Sequence, residues 1–135
     1  MSLALTAQDK DTLRTAAHGA VSLMAAADAA GSPHKVATHG VLALVSATGQ
    51  VGHVLAEKGK IKGLNGRSAA EIADHVLPAL TTTMQVLKKQ DAAEAENFRN
   101  TVLIALEAGT QAHKGGPSPA LTAMTGKITA ALDAA

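Results

Sequence analysis

The chain has to build its core almost without aromatic side chains. Phe98 is its single aromatic residue in 135, and Trp and Tyr are absent. Alanine dominates, and glutamate, lysine and leucine supply most of the other strong helix formers. Clusters of β-branched and aromatic residues bounded by turn residues, the usual strand signal, are missing. The pattern predicts an all-α protein, a single helical domain over residues 1–135. Helices faced with Ala, Gly and Val can approach closely, because no large side chain holds their axes apart. Such a core gains from many small contacts rather than from a few aromatic anchors.

Start and stop signals place five helices in a compact bundle. The first begins at Thr6 as N-cap, with Asp9 in its first turn, and runs to about Ala29 before Gly31. Leu13, Ala17, Ala20, Met24 and Ala27 form its inward stripe. The second starts at Ser32-Pro33 and continues to about Lys58. The third opens on a capping box, Ser68 with Glu71, and buries Ile72, Val76, Leu80, Thr83 and Leu87. Pro78 falls on its opposite face and should kink it without ending it. The fourth starts at Asp91 and buries Phe98, Val102, Ala105, Leu106 and Gly109, stopping at Lys114-Gly115-Gly116. The fifth starts at Ser118-Pro119, with Leu121, Thr125, Ile128 and Leu132 along one side. Short connections favour antiparallel neighbours.

The stretch HGVLALVSATGQVGHVLAE, His39 to Glu57, carries no formal charge until its last residue. At about 100° per residue, Val36, Gly40, Ala47, Val51, Val54 and Leu55 share one broad side, while Leu42 and Val45 lie well away from it. A helix apolar nearly all round is either buried at a centre or lodged in a membrane. A bilayer span needs about 20 mostly apolar residues. His39, Ser46, Gln50 and His53 interrupt this one, so it is expected at the centre of the bundle. These four and Glu57 fall within about 60° of one another on a continuous helix. That narrow polar stripe either reaches water or walls a pocket or a partner helix.

The formal net charge is +1, with acids and bases interspersed. Nucleic-acid and anionic-membrane surfaces need a clearer basic excess, so neither partner is expected. With no cysteine, the chain has no disulfide, thiol nucleophile or cysteine-held metal centre. The N-terminal segment has no basic region and only a very short apolar run, unlike a signal peptide. A cytoplasmic location is expected.

Few motifs carry chemistry. Glu71 and His75 can face the same way on a helix, but Glu71 is the capping-box acid, and the paired Glu-x-x-His of a di-metal bundle is missing. No metal or other cofactor is expected. His18 lies on the outer flank of the first helix. His113 falls on the inward side of the fourth helix near its end, where the dipole favours it. Ser32, Ser68 and Ser118 serve as N-caps, no Gly-x-Ser-x-Gly elbow occurs, and Ser22 has only His18 beside it. Catalysis is therefore not expected; a buried cluster of His with Asp or Glu would reopen it. The loop from Gly59 to Arg67 is glycine-rich and basic. Lys60, Lys62, Arg67 and Ser68 precede a helix N-terminus whose amides can receive an anion. Its glycine spacing is not that of a P-loop.

Two segments echo each other, AAADAAGSPHKVATHG (25–40) and QAHKGGPSPALTAM (111–124). Each joins two helices through Gly, Ser and Pro, with the next helix starting at Pro. The arrangement resembles the tellurite-resistance TerB-like helical domains, whose loop acids are implicated in metal binding. Asp28 keeps the loop acid in the first segment. Lys114 and Gly115 stand at the acidic positions of the second, and His34-Lys35 replace a Glu pair. Composition and motifs together predict a non-catalytic helical binding or interaction module that forms a homodimer. The alternative, implied by the resemblance, is a small-molecule- or metal-binding stress-related domain.

Overall fold

The computed structural model describes residues 3–29, 31–57, 61, 68–113 and 118–135. Six helices are formed among them: α1 (Ala7–Ala27), α2 (Pro33–Val45), α3 (Gly49–Ala56), α4 (Ala69–Gln90), α5 (Ala92–Ala112) and α6 (Pro119–Asp133). The described residues contain no strand.

Side-chain caps fix four of the six starts. The Thr6 hydroxyl accepts the Asp9 N–H at 3.0 Å, and the Asp9 carboxylate accepts the Thr6 N–H at 3.1 Å. Ser68 and Glu71 make the same reciprocal box on α4. The Asp91 side chain accepts from Ala93 and Glu94 on α5, and Ser118 accepts from Leu121 on α6. Each satisfies amides that the first turn leaves without partners. Helix α4 continues through Pro78, which is exposed, because its apolar stripe keeps burying residues on both sides of the proline.

The expected second helix is two helices, which is why six are found rather than five. Gly49 takes φ +75, a left-handed conformation that breaks the helical path after Val45. The Ser46 hydroxyl turns back to the Leu42 carbonyl at 2.8 Å. Thr48 stands at the start of α3 without a side-chain cap bond. Glu94 of α5 supplies the missing cap: its Oε1 accepts the Val51 N–H at 2.9 Å. Gly52 is needed by the same turn, since a Cβ there would lie 2.3 Å from the Ala47 carbonyl oxygen.

The centre is also different from the expected one. Helices α1 and α5, not the second helix, each pack on every other helix, while α2 reaches neither α4 nor α6. Small residues make this possible. Ala16, Ala17 and Ala20 are fully buried. A Cβ on Gly19 would fall 2.3 Å from Val76 Cγ2 of α4. On the α2 side, a Cβ on Gly40 would fall 2.7 Å from Val21 Cγ1. Neighbours thus approach α1 from opposite sides at backbone-limited distance. The core residues expected from periodicity, Leu44, Val51, Leu80, Val102, Leu106 and Ile128, are all buried together. Among the described residues no helix is long and apolar enough to cross a membrane.

Candidate functional site

Helices α2 and α5 form an antiparallel pair held at both ends. Val36 sits against Gly109 near one end, and Thr48 accepts the Asn97 side-chain amide at 2.9 Å beyond the other. At the first end, Asp28 caps α1 and is only 4% exposed. Its Oδ2 accepts the Ser32 N–H at 2.8 Å, which ties down the start of α2 where Ser32 makes no side-chain cap. Its Oδ1 lies 2.7 Å from Nδ1 of His113, just past α5. Among the described residues that nitrogen has no aligned hydrogen-bond partner, so the contact is a short, off-axis approach. The Ser32 amide holds the Asp28 carboxyl below its ordinary pKa, with His113 assisting and burial opposing. Gly31 permits this packing, because a Cβ there would lie 2.5 Å from Asp28 Oδ1 and 2.7 Å from His113 Cε1.

At the second end, Glu94 and Asn97 of α5 hold the turn between α2 and α3. The pair also leaves large apolar side chains outside. Leu42 is 56% exposed, Val45 49% and Ile104 58%. A cleft of about 260 Å³ runs between the helices, with Ala43, Ser46, Thr101 and Ile104 in its walls. A large apolar side chain half in water is unremarkable alone, but several on two packed helices can serve as a contact surface.

The break at Gly49 divides the expected polar stripe. His39 is exposed on α2, and Ser46 has become its exposed C-cap. Gln50, His53 and Glu57 lie around α3, where they line a separate cleft of about 150 Å³ with Leu3, Leu5 and Lys10. The Gln50 carbonyl accepts the Leu3 N–H at 2.5 Å. His53 Nε2 lies 3.6 Å from Glu57, and the His53 side chain is 81% exposed. Glu57 also meets Arg14 at 3.5 Å and Lys10 at 3.9 Å. Of the expected anion-binding residues, Lys60, Lys62 and Arg67 lie outside the described residues. Ser68 is the capping residue of α4, its hydroxyl engaged with Glu71. His75 is exposed on α4.

Three polar contacts were not foreseen as such. Arg14 is buried in α1, bonded to Asp11 at 2.6 Å and to the Val54 carbonyl at 3.4 Å, with its Nε left without a partner. His18, one turn on, has its pKa lowered by burial and then by Arg14. The Asp28–His113 contact and the Glu94 cap bridge distant segments. The echo between residues 25–40 and 111–124 was a usable signal for the first, since each segment supplies one member. No local pattern announces the second. Among the described residues no group of three or more His, Asp or Glu side chains is placed to hold a metal ion.

Comparison with protein-family models, with curated proteins and with solved structures finds no match.

Proposed function

We propose that the protein is a non-catalytic helical interaction module that works in the cytoplasm by associating with itself, without nucleic-acid or membrane partners. The observation that carries this reading is the half-exposure of Leu42, Val45 and Ile104 on two packed helices. Burying each such side chain is favourable by about 1.5–3 kcal/mol when complete, and roughly half of that remains available to a partner. A net charge of +1 offers little repulsion between copies. A two-fold dimer is the commonest way to cover a surplus of this kind. Light scattering over a concentration series tests it. A mass rising toward two chains by about 100 µM is expected, and a constant mass of one chain removes the reading; interfaces of modest area typically dissociate at micromolar levels.

A second reading, a TerB-like stress-related domain that binds a small molecule or metal, draws support from one observation. The two echoing segments meet at Asp28 and His113. A carboxylate and an imidazole are two of the ligand types that divalent metals favour. Elemental analysis of protein purified without a metal-affinity step tests it: about one equivalent of metal, lost in His113→Ala, is what it requires.

A further inference from the structure

Residues at three- and four-residue steps share one side of a helix. On α2 these steps carry Lys35, His39, Leu42 and Ser46, and on α5 Asn100, Ile104, Glu107 and Gln111; all are exposed. The Val36–Gly109 approach and the Asn97–Thr48 bond fix the antiparallel register of the two helices. In that register Leu42 stands level with Ile104, His39 with Glu107, Ser46 with Asn100 and Lys35 with Gln111. Each row is complementary to the other. Apolar faces apolar at the centre, His39 faces the acid Glu107 at one end with Lys35 one turn beyond it, and hydroxyl faces amide at the other.

Within one copy the two rows stand side by side and both look outward, so the complement of each must come from outside. We propose that this strip is the seam of a two-fold dimer whose axis runs parallel to α2, with α2 of each copy lying on α5 of the other. The rotation swaps the two helices while keeping their direction. Leu42 of one copy then packs on Ile104 of the second copy, with His39 and Lys35 beside its Glu107 and Ser46 beside its Asn100. Each α2 meets an antiparallel α5, which also opposes the helix dipoles. Among the described residues Lys35 has no carboxylate partner, and Glu107 bonds only the neutral Gln111 amide, at 3.3 Å. A charge pair is therefore open on both sides of the seam.

The area is consistent with a dimer of moderate strength. Helix α2, with 13 residues, is about 20 Å long. Two helices packed about 8–10 Å apart present a strip of similar width, about 400 Å² in projection per copy. Side chains that interlock bury more than the projection, so the pair approaches the roughly 1,200 Å² at the lower end of specific interfaces. The seam rests on the self-association proposed above.

The chain has no cysteine, so single introduced cysteines report proximity without background. Leu42→Cys and Ile104→Cys are prepared separately, one isotope-labelled, then mixed and oxidised. A disulfide requires Cβ atoms about 3.5–4.5 Å apart. The mixed 42–104 product should exceed both symmetric products, while Gln85→Cys, exposed on α4, should cross-link far more slowly. Charge exchange gives an independent reading. Lys35→Glu and Glu107→Lys should each weaken the dimer about tenfold, and the double variant should recover most of it, since two symmetric rim pairs reverse sign. A wild-type chain that stays monomeric would remove both self-association and the seam. A dimer in which symmetric products match or exceed the mixed one, and in which charge exchange changes nothing, would overturn the seam alone.

Discussion

Two glycine-to-alanine substitutions, both inside helices, should move stability in opposite directions. Gly19 faces α4, where a Cβ would stand 2.3 Å from Val76 Cγ2, 3.0 Å from Cγ1 and 3.2 Å from its Cβ. Val76 is 0% exposed and branched at Cβ, with one strongly favoured rotamer in a helix, so it cannot swing aside. The helices must move apart instead. Overpacking a filled core costs about 1–3 kcal/mol. Replacing glycine in a helix interior returns about 1 kcal/mol. A contact this short belongs at the upper end of the cost, leaving Gly19→Ala destabilised by about 1–2 kcal/mol. For a chain of this size that lowers Tm by roughly 3–6 °C. Gly126 lies in α6 with nothing within 4 Å of an added Cβ. Gly126→Ala should therefore keep the propensity gain, about 0.5–1 kcal/mol, and raise Tm by roughly 2–3 °C. Calorimetry at one fixed chain concentration reads both, because association makes Tm concentration-dependent. The double variant Gly19→Ala/Val76→Ala should show coupling of about 1 kcal/mol or more, the alanine occupying space that the valine vacates. If Gly19→Ala raises Tm as Gly126→Ala does, the close approach of α1 and α4 is wrong.

Other perturbations probe separate links. Leu106→Ala, at a site 1% exposed, should lose about 2–5 kcal/mol in urea unfolding; a midpoint equal to wild type would contradict its place in the core. Gly49→Ala forces a left-handed residue with φ +75 and crowds Asn97 Nδ2 at 2.8 Å. It should cost about 1–2 kcal/mol and loosen amide-exchange protection in α3 before the rest of the chain. Asp28 has a folded pKa below its ordinary value of 3.8, so its contribution is complete above that value and is lost as pH falls through the lower folded one. Asp28→Asn should be less stable than wild type at neutral pH, with the gap closing as pH falls through the lowered folded pKa. A gap independent of pH would mean that the carboxylate charge is not what the Ser32 amide holds.

Much of this fold was written locally. Thr6, Ser68, Asp91 and Ser118 are short polar side chains that suit an N-cap, and each caps the helix expected of it. The stripes of α4 and α5 are buried as their periods require, because their charged residues fall cleanly on the other face. The second helix misled because its apolar residues surround it, so periodicity could not choose a buried side. What does choose is tertiary: Gly49 turns left-handed, and Glu94, far along the chain, caps the helix that restarts there. The centre passed to α1 and α5 for a reason hydropathy hides, since alanine and glycine score modestly yet let neighbouring helices approach closely. Asp28 is legible in the sequence as a loop acid and His113 as an inward residue at a helix end; their meeting depends on how α1 and α5 end, which spacing alone does not encode.

The chain is proposed to work by associating with itself and not by holding a cofactor or ligand. Native mass spectrometry of the full chain, purified without a metal-affinity step and sprayed at several concentrations, addresses both halves at once. The expected spectrum shows a species at twice the 13.5 kDa chain mass, growing with concentration and carrying no added mass. A single-chain species at every concentration would contradict that proposal, and one bearing a stoichiometric metal or small molecule would favour the TerB-like reading in its place.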